Sequence, residues 1–243
     1  MGLLSNLLDI IYPPRCYVCS EFLDYHPPDR GDICDVCFSG FKKLTHPFCS
    51  ICCEPFKSNE EEDHLCEKCL RKRPYYDELR APYLYEEALM DAIQLIKYSG
   101  KSYIIKSLGP ILGEFAKIWI NNRNDMIIIP VPLHRKKIKE RGFNQSALLV
   151  KTISPILEIE TDFFTLIRTR YTKSQAGLNL DERRKNVKGA FEVRGDKNIK
   201  GKSVILVDDV ATTGNTLNEC ARILKKAGAE KVLGLTLART APY

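Results

Sequence analysis

Short apolar runs alternate with amphipathic segments along the chain after residue 74. Runs rich in β-branched and aromatic residues predict strands at 79–85, 126–131, 163–168, 204–207 and 232–237. Between them, apolar positions at helical spacing predict helices around 89–96, 103–120, 144–153 and 217–227. Strands separated by helices favour a mostly parallel sheet with helices on both faces. The sequence therefore predicts the α/β class for residues 75–243.

The first 74 residues have a different texture. Leu3, Leu4, Leu7, Leu8 and Ile11 follow the spacing of a helix with one apolar face, which we expect to dock on the rest of the protein. From residue 12 the chain is rich in cysteine, proline and charge, with little apolar periodicity. Residues 71–74 resemble a linker, so we predict a first domain at 1–74 and a second at 75–243.

Composition narrows the class of protein. With 243 residues and 44% apolar composition, a disordered or fibrous chain is excluded. No stretch approaches the roughly 18 apolar residues of a membrane span, so we expect no transmembrane segment. The early apolar stretch carries Asp9 and no basic residue precedes it, unlike a secretory signal peptide. These features predict a cytoplasmic protein.

Eight cysteines form four Cys-x-x-Cys turns, here called knuckles. Successive knuckles are separated by 14 residues in the first pair and 13 in the second, which indicates two tandem units with four thiolates each. That spacing suits two structural Zn²⁺ sites. The predicted zinc ligands are Cys16, Cys19, Cys34 and Cys37 in the first unit and Cys49, Cys52, Cys66 and Cys69 in the second.

The alternatives are a disulfide framework, crossed pairing of the knuckles, and redox chemistry at one knuckle. Cys53 is predicted to be a spare thiol, with the alternative that it replaces its neighbour Cys52 as a ligand. Cys220 is predicted to be a small buried apolar residue. His26, His46 and His64 are expected at the surface, because eight well-spaced sulfurs already complete two sites.

A strand, an acidic pair and a small-residue loop follow one another at 204–216. The strand 204–207 delivers Asp208 and Asp209 to the carboxyl edge of the sheet, and a helix follows, with Thr216 and Glu219 predicted as a capping box. Backbone N–H groups and threonine hydroxyls at a helix start form a cradle for a phosphate. The alternative is an ordinary strand-to-helix turn capped by Asp and Thr.

This segment closely resembles the ribose-phosphate signature of type I phosphoribosyltransferases. The resemblance implies that Asp208 and Asp209 hold the ribose hydroxyls of phosphoribosyl pyrophosphate (PRPP). Its 5′-phosphate would lie on the loop residues Ala211, Thr212, Thr213, Gly214, Asn215 and Thr216. Mg²⁺ would accompany PRPP through the ligand's oxygens.

Further blocks resemble the ComF family, whose members join a cysteine-rich zinc module to a phosphoribosyltransferase-like domain. They are Pro130–His134, Arg141–Gln145 and Gln175–Phe191. Ser20 and Cys53 stand where such knuckles often carry Gly. The resemblance covers nearly the whole chain and implies a type I phosphoribosyltransferase-like fold behind a zinc-ribbon module.

The positive charge is concentrated in two segments. The chain carries a net charge of +6, yet segments 134–141 and 168–188 contain twelve basic and three acidic residues, so the remainder is mildly acidic. The resemblance to type I phosphoribosyltransferases implies that the first segment is a loop contacting pyrophosphate and that residues 169–180 form a mobile lid. The alternative is that both basic segments are solvated surface. The candidate residues are His134, Arg135, Lys136, Lys137, Arg141, Arg183, Arg184 and Lys185.

Three functions fit these features. The first is a PRPP-binding ComF-family protein acting in DNA uptake during natural transformation, with single-stranded DNA and a DNA-uptake helicase as partners implied by the resemblance. The second is an active phosphoribosyltransferase with an unidentified acceptor, and the third is a non-catalytic module for single-stranded DNA. Phe143 and Tyr171 could stack bases beside the basic segments. The sequence predicts neither a general base nor an oligomeric state.

Overall fold

A computed structural model describes residues 13–24, 32–56, 62–120, 125–172, 180–195 and 199–241, without the side chains of 180, 181, 183 and 184. The predicted N-terminal helix, His26 and the middle of the predicted lid, 173–179, lie outside these residues.

A parallel sheet forms the centre of the chain after residue 74. Its strands are β1 (Glu78–Arg80), β2 (Tyr83–Leu84), β3 (Met126–Pro130), β4 (Glu160–Thr161), β7 (Ser203–Ala211) and β8 (Lys231–Arg239). The order across the sheet is β1-β8-β7-β3-β4, and β2 follows β1 along the same edge of β8. All of these pairings are parallel, which confirms the predicted sheet.

Eight α-helices lie within the described residues. They are α1 (Asp35–Ser39), α2 (Glu67–Arg71), α3 (Glu87–Tyr98), α4 (Ile105–Trp119), α5 (Arg135–Arg141), α6 (Gln145–Leu157), α7 (Leu180–Val187) and α8 (Asn215–Lys226). A short 3₁₀ turn at Ser102–Ile104 leads into α4. None of these helices is long and apolar enough to cross a membrane.

Three local predictions need correction. The single strand expected at 79–85 is divided into β1 and β2. The strand expected at 163–168 is β5 (Leu166–Arg168), which pairs antiparallel with β6 (Phe191–Val193) outside the main sheet. The basic segment after β3, predicted as a loop, forms α5, because Arg, Lys and Glu are good helix formers even without an apolar face.

The two faces of the sheet carry separate cores. Ile205 and Val207 of β7 pack with α3, α4 and α6, while Val204 and Leu206 pack with α8 and β6. This division follows from the alternation of side chains along a strand buried on both sides.

The cysteine-rich module packs against both cores. Cys16 and Cys37 belong to the core of α3, α4 and α6, whereas the second set of four cysteines belongs to the core of α8. Backbone bonds join the module to the sheet edge, including Leu79 N–H to the Ile51 carbonyl at 2.7 Å. The module therefore shares both hydrophobic cores of the sheet, in addition to its own cysteine clusters.

Candidate functional site

The eight knuckle cysteines converge into two groups of four. The first tetrad comprises Cys16, Cys19, Cys34 and Cys37, and the second comprises Cys49, Cys52, Cys66 and Cys69. Within each tetrad the sulfurs all lie within 4.8 Å of one another. The pairing is sequential rather than crossed.

Their spacing fits a tetrahedral zinc ion. Zn–S bonds of about 2.3 Å place the sulfurs of a tetrahedron about 3.8 Å apart. The distance from Cys19 Sγ to Cys34 Sγ is 3.7 Å, and that from Cys52 Sγ to Cys66 Sγ is 3.6 Å. All ten cysteines are free thiols in the structure, as zinc ligands require and a disulfide framework does not allow. The tetrads thus support two structural zinc sites.

The knuckle turns explain two residues that stood out in the sequence. Ser20 and Cys53, at positions where glycine is common, adopt positive φ angles of 67° and 54°. Cys53 is fully buried but outside the second tetrad, and Cys220 is buried within α8, as predicted.

The acidic pair lies on β7, which continues beyond the predicted strand to Ala211. Asp208 Oδ1 accepts hydrogen bonds from Ser146 Oγ at 2.8 Å and from the Asp209 N–H at 2.9 Å. Asp209 Oδ1 accepts from the Val210 N–H at 2.8 Å. These bonds fix both carboxylates at the end of the sheet.

Lys97, near the end of α3, forms a buried ion pair with this acidic pair. Its Nζ lies 2.7 Å from Asp209 Oδ2. Burial raises the pKa of Asp208 to about 7, with a further rise from the Asp209 charge and an opposing effect from Lys97. Burial lowers the pKa of Lys97, but the attraction of Asp209 and Asp208 outweighs it and raises the pKa overall. Two acids can therefore lie side by side because a buried ammonium group offsets one charge.

The loop after β7 turns into the first residues of α8. Gly214 caps the helix in the left-handed conformation with φ of 72°, which favours glycine. The Thr213 Oγ1 accepts from the Asn215 N–H at 3.4 Å. Asp208 and this loop line one cleft, whose walls are Asp208, Val210, Ala211, Thr212, Gly214, Asn215, Thr216 and Leu217.

The predicted capping box is wrong. Gly214, not Thr216, is the N-cap of α8, and Glu219 turns away from the helix start. Glu219 Oε1 accepts from the Gly189 N–H at 2.8 Å, and its carboxylate pairs with Arg222 at 2.8 Å. The glutamate instead ties α8 to the segment between α7 and β6.

The two basic segments meet at Tyr171. The His134 ring lies 5.4 Å from the Tyr171 ring, and Lys136 Nζ lies 5.5 Å from the same ring centre. His134 Nδ1 accepts from the Lys136 N–H at 3.2 Å and so caps α5. Lys137 pairs with Glu140 at 2.9 Å. Within the described residues, His134, Lys136 and Tyr171 therefore form a cationic and aromatic surface beside α5.

The other lid candidates are less closely grouped. Arg135 and Lys185 are exposed, while Arg141 donates to Gln145 at the start of α6. The side chains of Arg183 and Arg184 lie outside the described residues. For these residues contact with pyrophosphate stays a prediction.

Sequence reasoning missed Lys97 and Ser146. Lys97 lies on an amphipathic helix with no motif around it, so only the fold brings it to Asp209. Ser146 directly follows the ComF-like block 141–145, and Asn144 of that block fixes its place. The Asn144 side chain accepts from the Ser146 N–H at 3.0 Å and donates to the Val131 carbonyl at 3.1 Å.

Family comparisons divide the chain into two parts. Residues 7–70 match the double zinc ribbon domain, and residues 144–241 match the phosphoribosyl transferase domain. Among solved structures, the chain is similar to a glutamine PRPP amidotransferase from B. subtilis, with 18% identity, a TM-score of 0.40 and coverage of 60% of this chain and 30% of that one.

Whole-chain relatives share both parts. Competence protein F of Haemophilus influenzae is 33% identical over 93% of this chain and 96% of its own length. DNA utilization protein YhgH of Escherichia coli K12 is 33% identical, with coverage of 94% and 98%. Competence protein ComFC of Bacillus subtilis is 28% identical, with coverage of 88% and 86%. With a double zinc ribbon ahead of a type I phosphoribosyltransferase-like sheet, the chain belongs to the ComF family of competence proteins.

Proposed function

We propose that this protein binds PRPP with Mg²⁺ at the end of β7 and acts in the handling of DNA taken up during natural transformation. The observation that carries the proposal is the cleft in which Asp208 and the loop at the start of α8 face the same space. The names of the competence and DNA utilization relatives support the biological setting.

Different residues of the cleft bind different parts of PRPP. Asp208 and Asp209 accept hydrogen bonds from the ribose hydroxyls, and the N-terminal end of α8 holds the 5′-phosphate. Carboxylate and ligand oxygens are the donors that Mg²⁺ prefers, and Mg²⁺ would neutralise charge on the pyrophosphate. Basic side chains of α5 would contact the same pyrophosphate.

Calorimetric titration with PRPP and Mg²⁺ tests the site. The wild type is expected to bind, and the double variant Asp208→Asn with Asp209→Asn is expected to lose binding. Asp91→Asn with Glu114→Gln removes two exposed acids and is the control with the same charge change. Equal PRPP affinity in the Asp208/Asp209 variant and the control would refute the site.

Turnover is a separate part of the proposal. An acceptor that attacks the anomeric carbon displaces pyrophosphate, and a cationic lid that excludes water would lower the barrier to this step. Pyrophosphate release on addition of nucleobases, nucleotides or DNA ends distinguishes an active phosphoribosyltransferase from a protein that only binds PRPP.

Single-stranded DNA binding is the second candidate function, and the surface around Tyr171 favours it. The Lys136 ammonium group lies beside the half-exposed aromatic ring of Tyr171. Cationic side chains bind the phosphates of single-stranded DNA, and aromatic rings stack on its bases. A helicase of DNA uptake is the protein partner that the ComF resemblance implies for this function.

Salt-dependent affinity tests this surface. Lys136→Ala with Lys137→Ala is expected to reduce the dependence of log affinity on log salt by about 1.4, since each single-strand phosphate contact contributes about 0.7. Lys106→Ala with Lys151→Ala removes two exposed lysines elsewhere as the control. A salt-independent affinity of the wild type would contradict DNA binding.

A further inference from the structure

Arg239, at the end of β8, joins the second tetrad to the loop at 211–216 that is proposed to hold the phosphate, here called the phosphate loop. Its side chain is 3% exposed, so the guanidinium must find its partners inside the protein. Arg239 Nε donates to the Cys52 carbonyl at 3.0 Å, and one Nη donates to the Ala211 carbonyl at 2.9 Å and to the Thr212 carbonyl. One planar group thus contacts a zinc knuckle and the start of the loop.

The second tetrad also holds the other end of Arg239. Its remaining Nη lies 3.4 Å from Glu54 Oε2, and the same carboxylate oxygen accepts from Lys68 of α2 at 2.9 Å. Glu54 follows the knuckle that contains Cys52, and Lys68 lies between Cys66 and Cys69. Both halves of the second tetrad therefore meet at the carboxylate that pairs with Arg239.

Tyr76 forms a parallel connection. It is buried in the same core as the second tetrad, and its hydroxyl stands 3.0 Å from the point where a Cβ on Gly214 would lie. The neighbouring Tyr75 N–H donates to Asn218 Oδ1 of α8 at 2.6 Å. The segment after the second tetrad thus packs directly on the turn that starts α8.

The first tetrad has no comparable connection within the described residues. Cys16 and Cys37 pack on the opposite face of the sheet, with residues of α3, α4 and α6. The two tetrads are chemically alike, but among the described residues Arg239 connects only the second to the phosphate loop by hydrogen bonds.

We propose that the second zinc site is part of the scaffold of the phosphate loop, with Arg239 as its positioning residue. The inference deepens the proposed function, because it concerns the same PRPP site. Without metal, the Cys52 carbonyl and Glu54 lose their fixed positions, and a buried guanidinium is left with fewer partners. Loop order then depends on the second site and not on the first.

Hydrogen exchange of amides 211–218 tests this coupling without any ligand. Cys34 and Cys66 are the N-cap residues of α1 and α2, so Cys34→Ser and Cys66→Ser are matched variants of the two sites. Cys66→Ser is expected to lower zinc content by one ion per chain and to speed exchange of the loop. Cys34→Ser is expected to lower zinc content equally and to leave the loop protected.

Arginine variants test the coupling with all cysteines intact. Arg239→Lys keeps the charge but cannot reach the knuckle and the loop together. Arg80→Lys is the control, because Arg80 donates to the Ser50 carbonyl of the same module at 2.9 Å and to the Leu79 carbonyl, not to the loop. Faster loop exchange in Arg239→Lys alone supports the inference, even if Cys66→Ser unfolds the whole domain.

PRPP titration separates this inference from the proposed function. Because Arg239→Lys loses charge-assisted hydrogen bonds, its affinity for PRPP is expected to fall by about tenfold or more. The affinity of Arg80→Lys should stay close to that of the wild type. A wild type that fails to bind PRPP would refute the proposed function, while loop exchange would still decide the coupling. Equal loop exchange in Arg239→Lys and Arg80→Lys would overturn the inference.

Discussion

Replacement of Lys97 by methionine should make stability strongly dependent on pH. The side chain of methionine is also long and unbranched, but it removes the charge that lies 2.7 Å from Asp209 Oδ2. Lys97 lowers the pKa of Asp208, so its loss should raise that pKa above the present value of about 7. The folded variant then holds a proton over a pH range in which the unfolded chain has released it.

The size of the effect follows from the burial of the pair. Two unit charges at 2.7 Å attract by about 6 kcal/mol at an effective dielectric constant of about 20, before the cost of desolvation is subtracted. Removing one partner of a buried pair costs about 3–5 kcal/mol. We expect that loss in full near pH 8.5. As the pH falls from 8.5 to about 7 the difference narrows by about 1.4 kcal/mol per pH unit, because there the variant holds a proton at Asp208 and the wild type does not. Below pH 7 both proteins hold this proton, so the difference stays at its smaller value.

Urea unfolding at pH 6, 7, 8 and 8.5 measures this difference. Tyr85 also faces the pair, but burial raises its pKa, so it stays neutral throughout this range. The control is Lys97→Met with Asp209→Asn, which removes both charges and should recover most of the stability at pH 8.5. A loss that is constant with pH, or larger at pH 6 than at pH 8.5, would refute the role of Lys97.

Three further outcomes are expected. Asp208→Asn should stabilise the protein at pH 8 and not at pH 4, and PRPP binding should be lost. The pKa of Asp208 is raised in the folded protein, so wild-type stability falls as the pH rises from about 4 to about 7. Thermal unfolding at pH 4 and pH 8 measures this difference. Gly109→Ala should cost about 1–3 kcal/mol in urea unfolding, since the new Cβ would lie 2.5 Å from Thr152 Cβ at the crossing of α4 and α6. Metal analysis should find two zinc ions per chain, released by a strong chelator together with part of the helical circular dichroism signal.

The features predicted best from sequence are those encoded locally. The knuckle spacing and the strand, acids and small loop at 204–216 each fit within a short stretch, and the structure places them as expected. The function of Lys97 could not be predicted, because its partner Asp209 is 112 positions later in the chain. The predicted capping box is wrong for a related reason: Glu219 accepts instead from the N–H of Gly189, which lies 30 positions earlier between α7 and β6.

The position of β8 in the sheet has a consequence for the order of folding during synthesis. β8 is the last of the described strands in the chain, yet it lies between β1, the first, and β7. Until β8 emerges from the ribosome, β1 has no place in the sheet and β7 keeps an open edge. Such non-local pairing slows folding and leaves apolar strands exposed to aggregation. The nascent protein should therefore depend on chaperone protection until β8 has been translated.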